Sequence, residues 1–554
     1  MKIFTIQNAN RNVCEGSHLA DDYKTSSIAP NFRETVELNS DTTGYFRYDN
    51  AWYPRIKKVR EDLYLLLYMY GELGPHLYFV TSRDGVHWDE PQVLYDNRAA
   101  DKTVTYTDGP LAGVTDRYCA VNADACVLQN GEVLCVYWER PHRGYHGYID
   151  HSCMYLRRGT VTAEHTLLWS EPRKIYVGSG WEPFIHQRKD GQIEVYWSSI
   201  VAYHSMYGFD KEKRSTCTMM IVSNDNGETW TPDVRAGDAD HHVAARVFQQ
   251  YIGDRVPYGH PDMPPVPYFG GQMPSAARLC NGKTMLAIEV HTIDYKFKIS
   301  HTVSEAGGRW KPLALTEAGP EGSVYTAFSG ASPYLCRFPS GEVYMTYTRG
   351  RDLRYRMCAP DGSEAFFEER LASPGTYGIW GSCLLDGGHT AITAVQNKNG
   401  EKWGIRLTHG YLNHRIDATR YGEWDEGADA LFVGGVSQAQ ISLRAAYDDV
   451  NLYLRVDRLD DCLTDGDTAT VQIASDGAVY TVTVGKDGLL ASDLDGVNAV
   501  TTVADGGCVS EIRLPRAALG ESIAVCPALD EDGTVHDTIH GAEDPALWPA
   551  VKLV

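Results

Sequence analysis

The chain has 554 residues and a formal net charge of −22, with 43% hydrophobic and 22% charged residues. That length exceeds one ordinary domain, so two are expected, and the composition is that of a folded globular protein. The acidic balance argues against nucleic acid or an anionic membrane surface as the main partner.

The N-terminal stretch MKIFTIQNANRNVC lacks the roughly 7–15-residue apolar core of a signal peptide, and no run reaches the roughly 18 apolar residues of a membrane span. The 13 cysteines form no CxxC pair and no Cys/His spacing suited to zinc. Several (Cys126, Cys135, Cys280, Cys336) fall at strand-like positions, where a thiol acts as a small apolar group. The expectation is a reduced, cytoplasmic protein, or a secreted one if a signal peptide has been removed.

Along the chain one unit recurs: an apolar strand, a turn carrying Gly or Asp, and a second apolar strand. It is read at 55–68 (RIKKVREDLYLLLY), 125–138 (ACVLQNGEVLCVYW) and 183–197 (PFIHQRKDGQIEVYW). It returns at 275–289 (SAARLCNGKTMLAIE), 333–347 (PYLCRFPSGEVYMTY) and 382–395 (SCLLDGGHTAITAV). Asn-Gly, Asp-Gly and Ser-Gly supply the positive φ that tight hairpins need. Sheets this small bury their faces by packing radially, which predicts a six-bladed β-propeller over 1–412. SRDGVHW (82–88) and SNDNGETW (223–230), with SEAGGRW (304–310) as a degenerate copy, read as Asp-box turns. In such a turn the Asp caps backbone N–H groups and the Trp packs on the blade, so Asp84 and Asp225 read as structural.

Residues at the start of inner strands converge on the propeller axis. AWYPRI places Arg55 there, GWEPFI places Trp181 and Glu182, and YGIWGS offers Tyr377 and Trp380. In TMLAIEV an apolar strand ends in Glu289, a costly place for a charge without a task. Two carboxylates on neighbouring blades suit glycoside hydrolysis, one protonating the leaving oxygen while the other attacks or activates water. Trp181 would help separate their pKa values by desolvation, and Arg55 would orient the substrate or hold a carboxylate charged. Two loops are expected to shape specificity. ERPHRGYHGYIDH (139–151) contributes Arg143, Tyr145 and His146, and the insertion at 238–271 contributes Asp262. His241, His242 and His260 in that insertion lack partner spacing for a metal, and neither metal nor cofactor is expected.

From about Ile416 the pattern changes to alternating strands with Asp-rich turns (439–461, 467–485, 508–519), an all-β sandwich assigned to 413–554. Tyr447-Asp448-Asp449 before NLYLRV, and the late EIRLP, make this segment resemble the family 9 carbohydrate-binding modules. Those modules grip sugar with paired aromatics, and here only Trp424 and Trp548 are available.

The first 410 or so residues resemble the sialidase-like propellers, and most of all the exo-arabinanases of glycoside hydrolase family 93. The matching stretches are YPRI (53–56), WEPF (181–184) with DGQIEVYWS (190–198), GQMPSAARLCNGKTMLAIEV (271–290) and, more weakly, YGIWGSCLL (377–385). The resemblance implies Glu182 as acid/base and Glu289 as nucleophile, retention of configuration, and release of an arabinofuranose-type or other neutral terminal sugar from an oligo- or polysaccharide. A sialidase is the competing reading, but its nucleophilic Tyr is matched here by Phe328 before Ser329, and Tyr325 lies three residues away. The same scaffold would also suit a non-catalytic glycan-binding propeller, or a polysaccharide lyase using Tyr or His as base.

Overall fold

The computed structural model describes residues 3, 30–60, 63–71, 76–97, 101–146, 148–199, 216–231, 245–251, 271–279, 281–291, 297–304, 316–317, 328–337, 343–358, 361–362, 369–373, 380–386, 390–399, 401–412, 416–422, 430–434, 439–460, 462–538, 542, 545 and 548–553. All structural statements concern these residues. The fold is all-β. Six sheets of four to six strands form from residues 30–412, and two further sheets, of seven and five strands, from residues 416–553.

Each of the six repeated hairpins forms the inner pair of one sheet. Gly131, Gly191 and Gly282 in the Asn-Gly and Asp-Gly turns take φ of 86°, 89° and 80°, which a side chain would resist. The innermost strands are Ala51–Arg60, Thr115–Val127, Gly180–Gln187, Gln272–Arg278, Ala331–Arg337 and Ser382–Asp386. Each adjoins the next in chain order, and the last adjoins the first, so the ring closes. Backbone hydrogen bonds help to close it: Pro30–Leu38 pairs antiparallel with Lys402–Leu412 as the outermost strand of the sixth sheet. The architecture is a β-propeller, and its sheets are called blades one to six below.

Between blades the packing is aromatic and dense. Trp138 of blade two meets Trp197 of blade three with ring centroids 6.1 Å apart, and Tyr176 lies 4.7 Å from Trp197. All three are fully buried. The turns at 82–88 and 223–230 form as the sequence suggests. Asp84 accepts from the Val86 and His87 N–H groups, Asp225 accepts from Thr229 N–H, and Trp88 and Trp230 donate to the carbonyls of Gly85 and Gly227. The His87 ring and these backbone donors hold the Asp84 carboxyl below its ordinary pKa against burial, and the Thr229 hydroxyl, with its N–H, holds Asp225 at about 2. The 304–310 copy lies outside the described residues beyond Ser304.

The inner strands share a further feature. In five of them the register slips to leave Tyr53-Pro54, Asn122-Ala123, Glu182-Pro183, Met273-Pro274 and Ser332-Pro333 as bulges, and blade one slips again between Lys58 and Arg60. Trp380-Gly381 holds the same place in blade six. Tyr53, Asn122, Glu182, Met273, Ser332 and Trp380 all take φ between 50° and 65°. A proline has no N–H for the ladder, so a bulge is where a strand tolerates one. Two residues beyond each bulge, blades two, four and six carry short acceptors that cap the exposed edge of the next blade. Asp124 takes Ile185 N–H (3.1 Å), Ser275 takes Leu335 N–H (2.8 Å), and Ser382 takes Ile56 N–H (3.2 Å). Blades one, three and five carry Arg55, Phe184 and Tyr334 instead, and these large side chains fill the axis. Phe184 and Tyr334 meet edge to face at 5.6 Å, and the Arg55 guanidinium lies 5.2 Å from the Tyr334 ring.

The C-terminal strands form two sheets around a separate core that includes Ile441, Leu443, Leu454, Val471, Ile473 and Val525. Asp448 caps the turn before Asn451 by accepting from Val450 and Asn451 N–H. Trp548 is buried in this core and its indole N–H donates to the Ala542 carbonyl, so it offers no sugar platform. Trp424 lies outside the described residues.

Candidate active site

Glu182 stands on the blade-three bulge with φ of 55°, which turns its side chain out of the strand alternation and toward blade four. Its Oε2 accepts from Ser198 Oγ at 2.7 Å and from Met273 N–H at 3.1 Å, and Met273 N–H also reaches Ser198 Oγ at 2.9 Å. Ser198 lies opposite Trp181 on the second strand of its blade. Glu289 holds the equivalent place in blade four, opposite Gln272, and its Oε2 accepts from Ser332 N–H of blade five at 2.7 Å. The strands therefore bring the two carboxyls to the same end of adjacent blades. Only the Gln272-Met273 step separates the residue opposite Glu289 from the amide held by Glu182.

Their electrostatics differ. Burial pushes both pKa values up, but Glu182 is opposed by the Ser198 and Met273 hydrogen bonds and by the positive charges of Arg55 and Arg140. Glu289 is 7% exposed and has one backbone donor. Burial, and then the Glu182 charge, raise it to about 8. Glu182 thus has more groups favouring its charged form than Glu289 has. Glu182 keeps partial solvent exposure.

Arg55 is buried. Its Nη1 donates to the carbonyls of Pro54 and Trp380, and its guanidinium lies 3.6 Å over the Tyr53 ring. Its charge is thus turned to favouring the ionised form of Glu182. Trp380 packs 5.1 Å from Trp52 at the same end of the axis. Trp181 and Tyr145 meet edge to face at 5.9 Å, and Ser179 Oγ fixes the loop by donating to the Tyr145 carbonyl. Arg143 is exposed, while its backbone N–H is bound by Asp116. His146 ends the short turn Gly144–His146, close in sequence to Tyr145. Asp262, Tyr377, Tyr325, His241, His242 and His260 lie outside the described residues.

Four participants escape a reading of the sequence. Ser198 and the Met273 and Ser332 amides position the carboxyls. Arg140 stacks at 3.7 Å on the Tyr145 ring, inside the loop that also carries Arg143 and His146. Beneath the carboxyls, Lys57 is paired with Asp124 at 2.9 Å and donates to Tyr334 OH at 2.6 Å; these partners raise its pKa against the effect of burial. Aligning the six hairpins on their turns exposes the bulge position, since Pro54, Pro183, Pro274 and Pro333 mark it in four blades.

No family model matches the chain, and no curated protein matches it. Among solved structures, a protein of unknown function from Dyadobacter fermentans is 14% identical with a TM-score of 0.44, over 70% of this chain and 100% of that one. The Hadza microbial sialidase Hz136 is 13% identical with a TM-score of 0.41, over 68% of each chain. A family 9 carbohydrate-binding module from Caldicellulosiruptor kristjanssonii, in complex with glucose, is 17% identical with a TM-score of 0.22, over 25% of this chain and 95% of that one.

Proposed function

We propose that the protein is a glycoside hydrolase that removes a terminal sugar from a glycan, with Glu289 as the proton donor and Glu182 as the ionised partner. The observation that carries this is the meeting of two carboxyls from adjacent blades whose surroundings push their protonation states apart. A protonated Glu289 is competent to give its proton to a departing glycosidic oxygen. An ionised Glu182, held by Ser198 and Met273, is competent to attack the anomeric carbon or take a proton from water. This inverts the roles implied by the resemblance to family 93, while keeping the pair. Exo action and retention of configuration remain part of the proposal.

One observation favours a second reading. Ser198 and Glu289 each accept from the bulge amide of the next blade, so capping alone asks only for a hydroxyl. A glycan-binding propeller in which Glu289 is merely a cap would bind sugars and hydrolyse none. A panel of aryl glycosides, including α-L-arabinofuranoside and α-sialoside, assayed with wild type and with Glu182→Gln and Glu289→Gln, separates the two. A hydrolase loses turnover by orders of magnitude in both variants; turnover of no glycoside by the wild type supports the binding module.

A further inference from the structure

Arg140, near the end of the blade-two strand Val133–Pro141, is 6% exposed, and its Nε and Nη1 are buried without a hydrogen-bond partner. A buried guanidinium is among the most demanding donors in a protein, and leaving its fork unsatisfied is costly. The acids nearby are already engaged. Glu139 binds Lys102 and Tyr95, and Asp116 takes the Arg143 and Gly144 amides and Tyr106 OH. Arg140 is instead held flat, 3.7 Å over the Tyr145 ring and 5.9 Å from the Trp181 ring, one residue from Glu182. Stacking fixes the plane of the fork.

Resting on the hydrolase reading for its place in the site, we infer that the sugar bound beside Glu182 carries a carboxylate, and that Arg140 receives it through Nε and an Nη as a bidentate pair. Uronic acids, with the carboxylate on the ring carbon remote from the glycosidic bond, and ulosonic acids, with it on the anomeric carbon, share this chemistry. A neutral arabinofuranose does not have it.

The test uses free monosaccharides and the full-length protein, so it requires no turnover. Binding of glucuronate against glucose, galacturonate against galactose, and N-acetylneuraminate is measured by titration calorimetry on wild type, Arg140→Lys and Arg140→Met. Melting curves report whether each variant is folded. At least one acid should bind tenfold or more tightly than its neutral counterpart (glucose serving for N-acetylneuraminate), and Arg140→Met should bring that ratio near one. Arg140→Lys, which keeps charge but loses the fork, should fall between and serves if Arg140→Met does not fold. Binding of the uronates identifies the first source, and binding of N-acetylneuraminate alone the second. Equal binding of acid and neutral sugars, no binding of any acid, or a ratio that survives in the Arg140 variants overturns the inference. Failure of the aryl-glycoside panel with a retained acid preference would overturn only the hydrolase reading.

Discussion

Ser198 Oγ donates to Glu182 Oε2 at 2.7 Å while accepting from Met273 N–H at 2.9 Å, and so ties a carboxylate of blade three to the bulge of blade four. The hydroxyl favours the charged form of Glu182 and fixes its direction. Ser198→Ala is expected to lower kcat roughly tenfold with little change in KM, since a misaimed catalytic group costs rate more than binding. It should also move the acidic limb of the pH–rate profile upward, because Glu182 loses a donor. A change confined to the melting temperature would assign Ser198 to packing alone.

On the proposed roles, the proton on Glu289 should set the alkaline limb. Because burial and the neighbouring Glu182 charge raise its pKa to about 8, kcat/KM should fall as pH rises through that value. Replacing Glu182 with Gln removes the like charge, so the Glu289 carboxyl should then titrate lower. Carbon-13 NMR of Glu-labelled protein checks this without any need for activity. An unshifted Glu289 resonance would break the coupling between the two groups.

Glu289 should also mark the stability curve. Its folded-state pKa is raised above its ordinary 4.5, so the native state binds the proton more tightly than the unfolded chain. The stabilising contribution is complete below about pH 4.5 and is lost progressively as pH rises through about 8. Chemical denaturation of wild type across that window should show a decline in stability that is flattened in Glu289→Gln. The amide keeps an acceptor for Ser332 N–H and cannot ionise.

Much of this is legible in the chain. Four of the six hairpins announce themselves because Asn-Gly and Asp-Gly turns between apolar runs permit few conformations, and Glu182 and Glu289 stand out because each is a carboxyl in apolar company. The bulge is marked in four blades only by a proline, and blade two has none there, so Asn122 passes as an ordinary strand residue. The roles of the two acids are obscure for a related reason. They depend on Ser198, on two amides and on Arg140, which become neighbours only when the ring closes. For Trp548 the sequence leaves the role open, because aromatic residues serve cores and sugar platforms equally well and only burial distinguishes the two.

The axis beneath the site carries its own prediction. Lys57 is the charge partner of the fully buried Asp124, whose other oxygen accepts from Ile185 N–H. Lys57→Met is expected to destabilise the protein by about 3–5 kcal/mol by stranding a buried carboxylate. Adding Asp124→Asn, which retains an acceptor for Ile185, should recover part of that loss. Guanidinium-induced unfolding of the single and double variants measures both, and strict additivity would remove the pair from the account of how blades one and two are joined.

The measurement that bears most directly on the paired carboxyls is steady-state turnover of the best aryl glycoside by wild type, Glu182→Gln and Glu289→Gln, with folding verified for each. Both substitutions should lower kcat/KM by roughly 10³-fold or more, and Glu289→Gln should be partly spared on a substrate whose leaving group needs no proton. Turnover retained within about threefold in either variant would contradict the account.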